Sequence, residues 1–131
     1  QLPTAQTGIY IADSFGELGL FYKLSRLVCI GGSFGKTGGH NPLEAAHFAD
    51  TIIFGPDMRN FADVAQQMIH ADAAQQVQNE TELAQSLLTF LQNPEEKIVL
   101  GEKAKHFAEN KQHVLDRIMA EIQPLLNTAL D

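Results

Sequence analysis

The sequence predicts an α/β fold, a parallel sheet flanked by helices, on three observations. Short β-prone runs alternate with longer helical patterns, the rhythm of strands joined by helical crossovers. The middle runs, Leu27 to Ile30 and Thr51 to Phe54, are apolar almost throughout, as strands covered by helices on both faces must be. Each run is followed by a small polar residue with an acid three positions later, a helix-start signature.

Taken in order, Ile9-Tyr10-Ile11-Ala12 predicts the opening strand, and Ser14 with Glu17 starts the helix behind it. Leu27 to Ile30 is the second strand, and Asn41 with Glu44 starts the next helix. Pro42 supports that register, because the first helical position needs no N–H. Thr51 to Phe54 and the weaker Ala74 to Val77 complete the strands, with Asn60/Asp63 and Asn79/Glu82 as the matching helix starts. From 79 to 131 the pattern is that of a helical tail of the same domain. Leu83, Leu87, Leu88 and Leu91 form one stripe, and Asn93-Pro94 ends that helix and begins another lined by Leu100, Ala104 and Phe107. A last stripe, Val114, Ile118, Ile122 and Leu125, carries Pro124, where a kink or fraying is expected. All these stripes read as core packing.

The 131 residues suit one domain. Roughly four strands are half of the two linked βαβαβ units from which nucleotide-binding doubly wound sheets are built. The chain opens on Gln1-Leu2-Pro3-Thr4 without Met, which predicts a soluble piece of a longer protein. No apolar run approaches the roughly 20 residues of a membrane span. A net charge of −7 without a Lys/Arg cluster argues against a nucleic-acid partner. A small anionic ligand stays compatible, since backbone N–H groups hold phosphate without net positive charge. Cys29, within Leu27-Val28-Cys29-Ile30, is expected to be a small buried thiol. His47, His70, His106 and His113 lack metal-ligand spacing, so neither metal nor cofactor is expected.

The stretch Gly31 to Ala46, GGSFGKTGGHNPLEAA, contains Gly35-Lys36-Thr37 and invites comparison with a phosphate-binding P-loop. The motif G-x-x-x-x-G-K-[ST] would need glycine where Ile30 stands, with the helix starting at the Lys-Thr. Here Gly38 and Gly39 follow Thr37, and the helix starts only at Asn41-Pro42. The P-loop reading fails, Lys36 is a loop residue, and the dinucleotide motif G-x-G-x-x-G is absent too. What remains is a strand, Gly31-Gly32-Ser33, a loop, Gly38-Gly39-His40, and a capped helix. Parallel strands bring Asp13-Ser14-Phe15-Gly16-Glu17 to the same sheet edge, where open α/β sheets bind ligands. On spacing alone, Glu17 and Glu44 are capping-box acids or ligand contacts, and Asn41 is a helix cap before it is anything else.

Four blocks stand in the order and spacing of the 3-deoxy-D-manno-octulosonic acid (Kdo) transferases. They are Asp13-Ser14-Phe15-Gly16-Glu17-Leu18, Gly31-Gly32-Ser33, Gly38-Gly39-His40-Asn41-Pro42-Leu43-Glu44, and Phe54-Gly55-Pro56 with Asn60-Phe61. The chain resembles that family most closely to about Val77, and more loosely along the tail; Phe15 in place of Met and Ala45 in place of Pro are small departures.

The resemblance implies a Rossmann-like, partial carboxyl-terminal domain of a two-domain GT-B glycosyltransferase. The parent would transfer Kdo from CMP-Kdo to a lipid A precursor in lipopolysaccharide core synthesis, at the cytoplasmic face of the bacterial inner membrane. It also implies that Gly31, Gly32 and Ser33 line the donor phosphate and sugar, and that the amides from Gly38 and Gly39 to His40 and Asn41, with Leu43, face the nucleotide. Glu44 would accept hydrogen bonds from ribose hydroxyls, and Gly16 and Glu17 would border the pocket.

By the same resemblance the transfer is inverting and metal-independent. Its general base, the acceptor site and the membrane contact lie in segments outside this chain, so no catalytic residue is expected here and the chain alone is expected to be inactive. Two other readings remain: another GT-B nucleotide-sugar transferase or epimerase, and a non-catalytic α/β interaction module whose glycines serve tight packing.

Overall fold

The computed structural model describes residues 3–13, 15–48 and 51–129, with side chains through 124. Helix α1 (Leu18–Ser25) leads into strand β1 (Val28–Cys29), helix α2 (Pro42–Ala46) and strand β2 (Ile52–Phe54). A 3-10 turn at Arg59–Phe61 opens into α3 (Ala62–His70), followed by β3 (Gln75–Gln76), α4 (Glu80–Gln92) and α5 (Pro94–Ala129). The strands form a parallel sheet in the order β1-β2-β3, with Val28 opposite Ile52 and Ile53 opposite Gln75.

Strand β2 is central and wholly buried because both of its faces are covered. Alternation sends Ile52 and Phe54 to one side, into a cluster with Val28, Ile30, Ala45, Met68, Ala104 and Ala108. Ile53 points the other way, against Val77 and Phe90, with Leu83, Leu87 and Leu100 packed around them. The uniformly apolar run predicted this. Small residues on α5, Gly101, Ala104 and Ala108, are buried and let that helix approach the sheet closely. The Thr51 hydroxyl donates to the Lys97 carbonyl at 3.2 Å, tying α5 to the start of β2.

Several expectations are corrected. Ile9 to Ala12 is not a strand among the described residues, and Ile9 and Ile11 are 85% and 82% exposed. A strand needs a neighbour to take its N–H and C=O groups, and this segment instead lies by α1, where Tyr10 meets Phe21 at 6.0 Å between ring centres. Cys29 is exposed, not buried. Alternation sends Val28 and Ile30 into the core cluster and Cys29 to the opposite face of β1, an edge strand of the sheet.

The tail forms α4 and a single helix α5, continuous through Pro124. Leu88 and Leu91 on α4 face outward, as do Val114, Ile118 and Ile122 on α5, where none of the described side chains beyond Ala108 is buried. The Leu125 side chain of that stripe lies outside the described residues. Among the described residues no helix is long and apolar enough to cross a membrane.

Candidate functional site

The carboxyl end of β1 runs directly into the glycine-rich loop. Gly32, Gly38 and Gly39 have φ of 73°, 85° and 74°, values that L side chains rarely adopt. The loop is closed at its neck by the Gly39 amide donating to the Gly32 carbonyl at 3.1 Å. Below it, Ser33 is fully buried: its hydroxyl donates to the Ile30 carbonyl at 2.6 Å and accepts from the Gly55 amide at 2.8 Å. The Asp57 amide donates to the Ser33 carbonyl at 2.9 Å.

Asn60 completes the frame. Its backbone amide reaches the Gly38 carbonyl at 3.1 Å and its side-chain amide the Thr37 carbonyl at 2.9 Å. The segment after β2 thus holds the loop after β1 from beneath. Gly55 belongs to the same contact, since a Cβ there would strike the Ser33 carbonyl. Beside Asn60, the Arg59 guanidinium holds the Asp57 carboxyl below its usual range through a bidentate pair at 2.8 and 2.9 Å.

Above this frame a cleft of about 490 Å³ opens, lined by Gly31, His40, Asn41 and Glu44 together with Leu18, Tyr22, Cys29, Ile30 and Phe61. The sequence-predicted residues divide into two groups. Gly31, His40, Asn41 and Glu44 come together on the cleft wall. Gly32, Ser33, Gly38 and Gly39 form the frame, with Ser33, Gly38 and Gly39 buried. Leu43 is half-buried on α2. Gly16 and Glu17 lie just before Leu18 without lining the cleft.

Two helix-start expectations, Asn41 with Glu44 and Asn60 with Asp63, are corrected. Asn41 caps α2 by accepting from the Leu43 amide at 3.1 Å, but no hydrogen bond returns from Glu44 to the Asn41 amide among the described residues. The Glu44 carboxylate is therefore not consumed by a capping box, and it faces the cleft. Helix α2 is only five residues long, so its dipole is that of a single turn.

Glu17 is itself the N-cap position of α1, without a side-chain cap bond, and Gly16 before it has φ 90°. Its expected partner Ser14 lies outside the described residues. Asn60 clamps the loop instead of capping α3, which starts at Ala62. Asn79 and Glu82 do form a cap: the Glu82 amide donates to Asn79 Oδ1 at 3.0 Å, and Glu82 Oε2 accepts from the Gln78 amide at 2.8 Å.

Sequence reasoning missed Tyr22 and Phe61. Tyr22 stands four residues after Leu18 on α1, the spacing of one helix face, and that face is the cleft wall. Burial first, and then the charge of Glu44, push the Tyr22 phenol above its ordinary value. Although Cys29 is exposed, partial desolvation on the cleft wall raises its thiol as well, which disfavours the thiolate a nucleophile would need. A larger concavity of about 780 Å³ lies beside β3, between Gln75, Asp72, Thr89 and Lys103. It has no glycine loop, and the Asp72–Lys103 pair at 2.9 Å stands on its rim.

No family model matches the chain. A 3-deoxy-D-manno-octulosonic acid transferase of Rickettsia felis is 44% identical over 128 residues, 95% of this chain and 27% of that protein. The transferase of the same name from Haemophilus influenzae is 29% identical over 127 residues, 96% of this chain and 30% of that protein. The chain thus spans little more than a quarter of the length of these curated relatives. Among solved structures, the C-terminal CMP-Kdo binding domain of WaaA from Acinetobacter baumannii matches with a TM-score of 0.68 and 33% identity, over 73% of this chain and 50% of that one.

Proposed function

We propose, from the premise that this chain belongs with the Kdo transferases in sequence and with their carboxyl-terminal domain in fold, that it is the donor-binding portion of such an enzyme. The parent transfers Kdo from CMP-Kdo to a lipid A precursor in lipopolysaccharide core synthesis, at the inner membrane. The observation that carries this reading is the cleft at the carboxyl end of β1, where Gly31, His40, Asn41 and Glu44 converge over a loop held by buried hydrogen bonds.

In this reading the cytidine monophosphate lies across Gly31 and the His40-Asn41 turn. Glu44, acceptor-only when ionised, takes hydrogen bonds from ribose hydroxyls. As the acceptor hydroxyl attacks the anomeric carbon, charge builds on the departing phosphate. Donors fixed before the reaction stabilise that charge without reorganising, and the loop frame supplies this fixity. The proton of the attacking hydroxyl goes to a base outside this chain.

Calorimetry of the intact parent protein tests the reading. CMP should bind, and UDP should bind at least about tenfold more weakly, a difference of about 1.4 kcal/mol. A preference for UDP would point to a different nucleotide-sugar enzyme, and binding of neither to a non-catalytic module.

A further inference from the structure

We propose that Tyr22 is a specificity-determining residue of the cleft, its phenol acting beside Glu44 as the second group that grips a pair of neighbouring hydroxyls on the ligand. The inference rests on the donor-binding reading and assigns a residue that neither the glycine-rich motif nor its flanking acids include.

Tyr22 is half-buried on α1, its ring packed against the core cluster that holds Val28, Ile30 and Ala45. Its place is therefore fixed by packing, at no further cost in side-chain freedom when a ligand arrives. The side chain lines the same cleft as Glu44, which belongs to the first turn of α2.

The charge of Glu44 reaches the phenol, yet no hydrogen bond joins the two groups among the described residues. The Tyr22 hydroxyl is not among the buried atoms that lack a partner, and the residue lines the cleft. A phenol both donates and accepts, whereas a carboxylate only accepts. Two such groups, lining one cleft and not bonded to each other, suit a vicinal diol: one hydroxyl donates to Glu44 and its neighbour pairs with Tyr22. Ribose carries such a diol, and a deoxyribose does not. A site built to bond a hydroxyl rejects the analogue that lacks it, because its own polar groups are left unpaired.

The test is calorimetry on the intact parent protein, wild type and Tyr22→Phe, with CMP, 2′-deoxy-CMP and 3′-deoxy-CMP, alongside thermal melts. Phenylalanine keeps the ring packing, so the melts should coincide. Wild type should prefer CMP to the deoxy nucleotides. Tyr22→Phe should bind CMP about five- to tenfold more weakly, the worth of one hydrogen bond. It should bind one deoxy nucleotide as wild type does, so that this preference disappears. Equal weakening of all three nucleotides, or unchanged CMP binding, would overturn the Tyr22 assignment while leaving the donor reading standing. Failure of wild type to bind CMP would overturn the donor reading and this inference with it.

Discussion

Glu44 is the residue on which two physical roles compete, and the geometry separates them. Its position three after Asn41 fits a capping box, yet Asn41 caps through the Leu43 amide alone and Glu44 faces the cleft. Glu44→Gln should therefore lower CMP affinity by about tenfold, since it weakens a charge-assisted hydrogen bond, while thermal stability changes by no more than about 0.5 kcal/mol. Loss of stability without loss of binding would restore the capping role. Tyr22 reports the same carboxylate by titration. Burial and Glu44 both raise the phenol above 10.0, so the folded chain keeps the proton that the unfolded chain sheds first. Stability is then unaffected below the ordinary phenol value and falls as pH rises from there through the folded one. Tyr22 should titrate lower in Glu44→Gln than in the wild type, as followed by ultraviolet absorbance.

At the scale of elements, the β1–α2 loop and the segment after β2 act as one frame. Ser33 is its pivot, because removing the hydroxyl strands the buried Gly55 amide that donates to it. Ser33→Ala should cost about 1–3 kcal/mol in denaturant unfolding and also weaken CMP binding, since the loop above loses its support. Asn79→Ala at the start of α4 should cost about 1 kcal/mol and leave CMP binding unchanged, because that cap lies away from the cleft. Equal effects of both variants on binding would deny the loop its special role. The sequence made β1 and β2 legible through apolar runs, and β3, Gln75–Gln76, more weakly through the polar punctuation after it, and these are signals that local chemistry carries. It misplaced Ile9 to Ala12, because strand formation depends on a neighbour that no local pattern names. Ser33 and Asn60 were legible as motif members but not as framework, since their partners lie 22 and 23 positions away in the chain. Tyr22 stayed hidden because one aromatic on an amphipathic helix carries no mark of which surface it faces.

Across the whole molecule, the buried core is concentrated around β2, whereas Ile9 and Ile11 and the distal half of α5 expose apolar side chains. The chain spans 27% and 30% of the length of the Rickettsia felis and Haemophilus influenzae relatives; in the proposed reading this part holds the nucleotide, and the acceptor and the base lie elsewhere. The chain alone should accordingly yield no Kdo-modified lipid A precursor by mass spectrometry under conditions where the intact parent does. The most direct measurement of the central claim is a crystal structure of the intact parent with CMP. The nucleotide should lie in the cleft between Gly31, the His40-Asn41 turn and Glu44, with its ribose against Glu44. A nucleotide seated instead in the larger concavity beside β3, or a cleft closed by packed side chains, would contradict it.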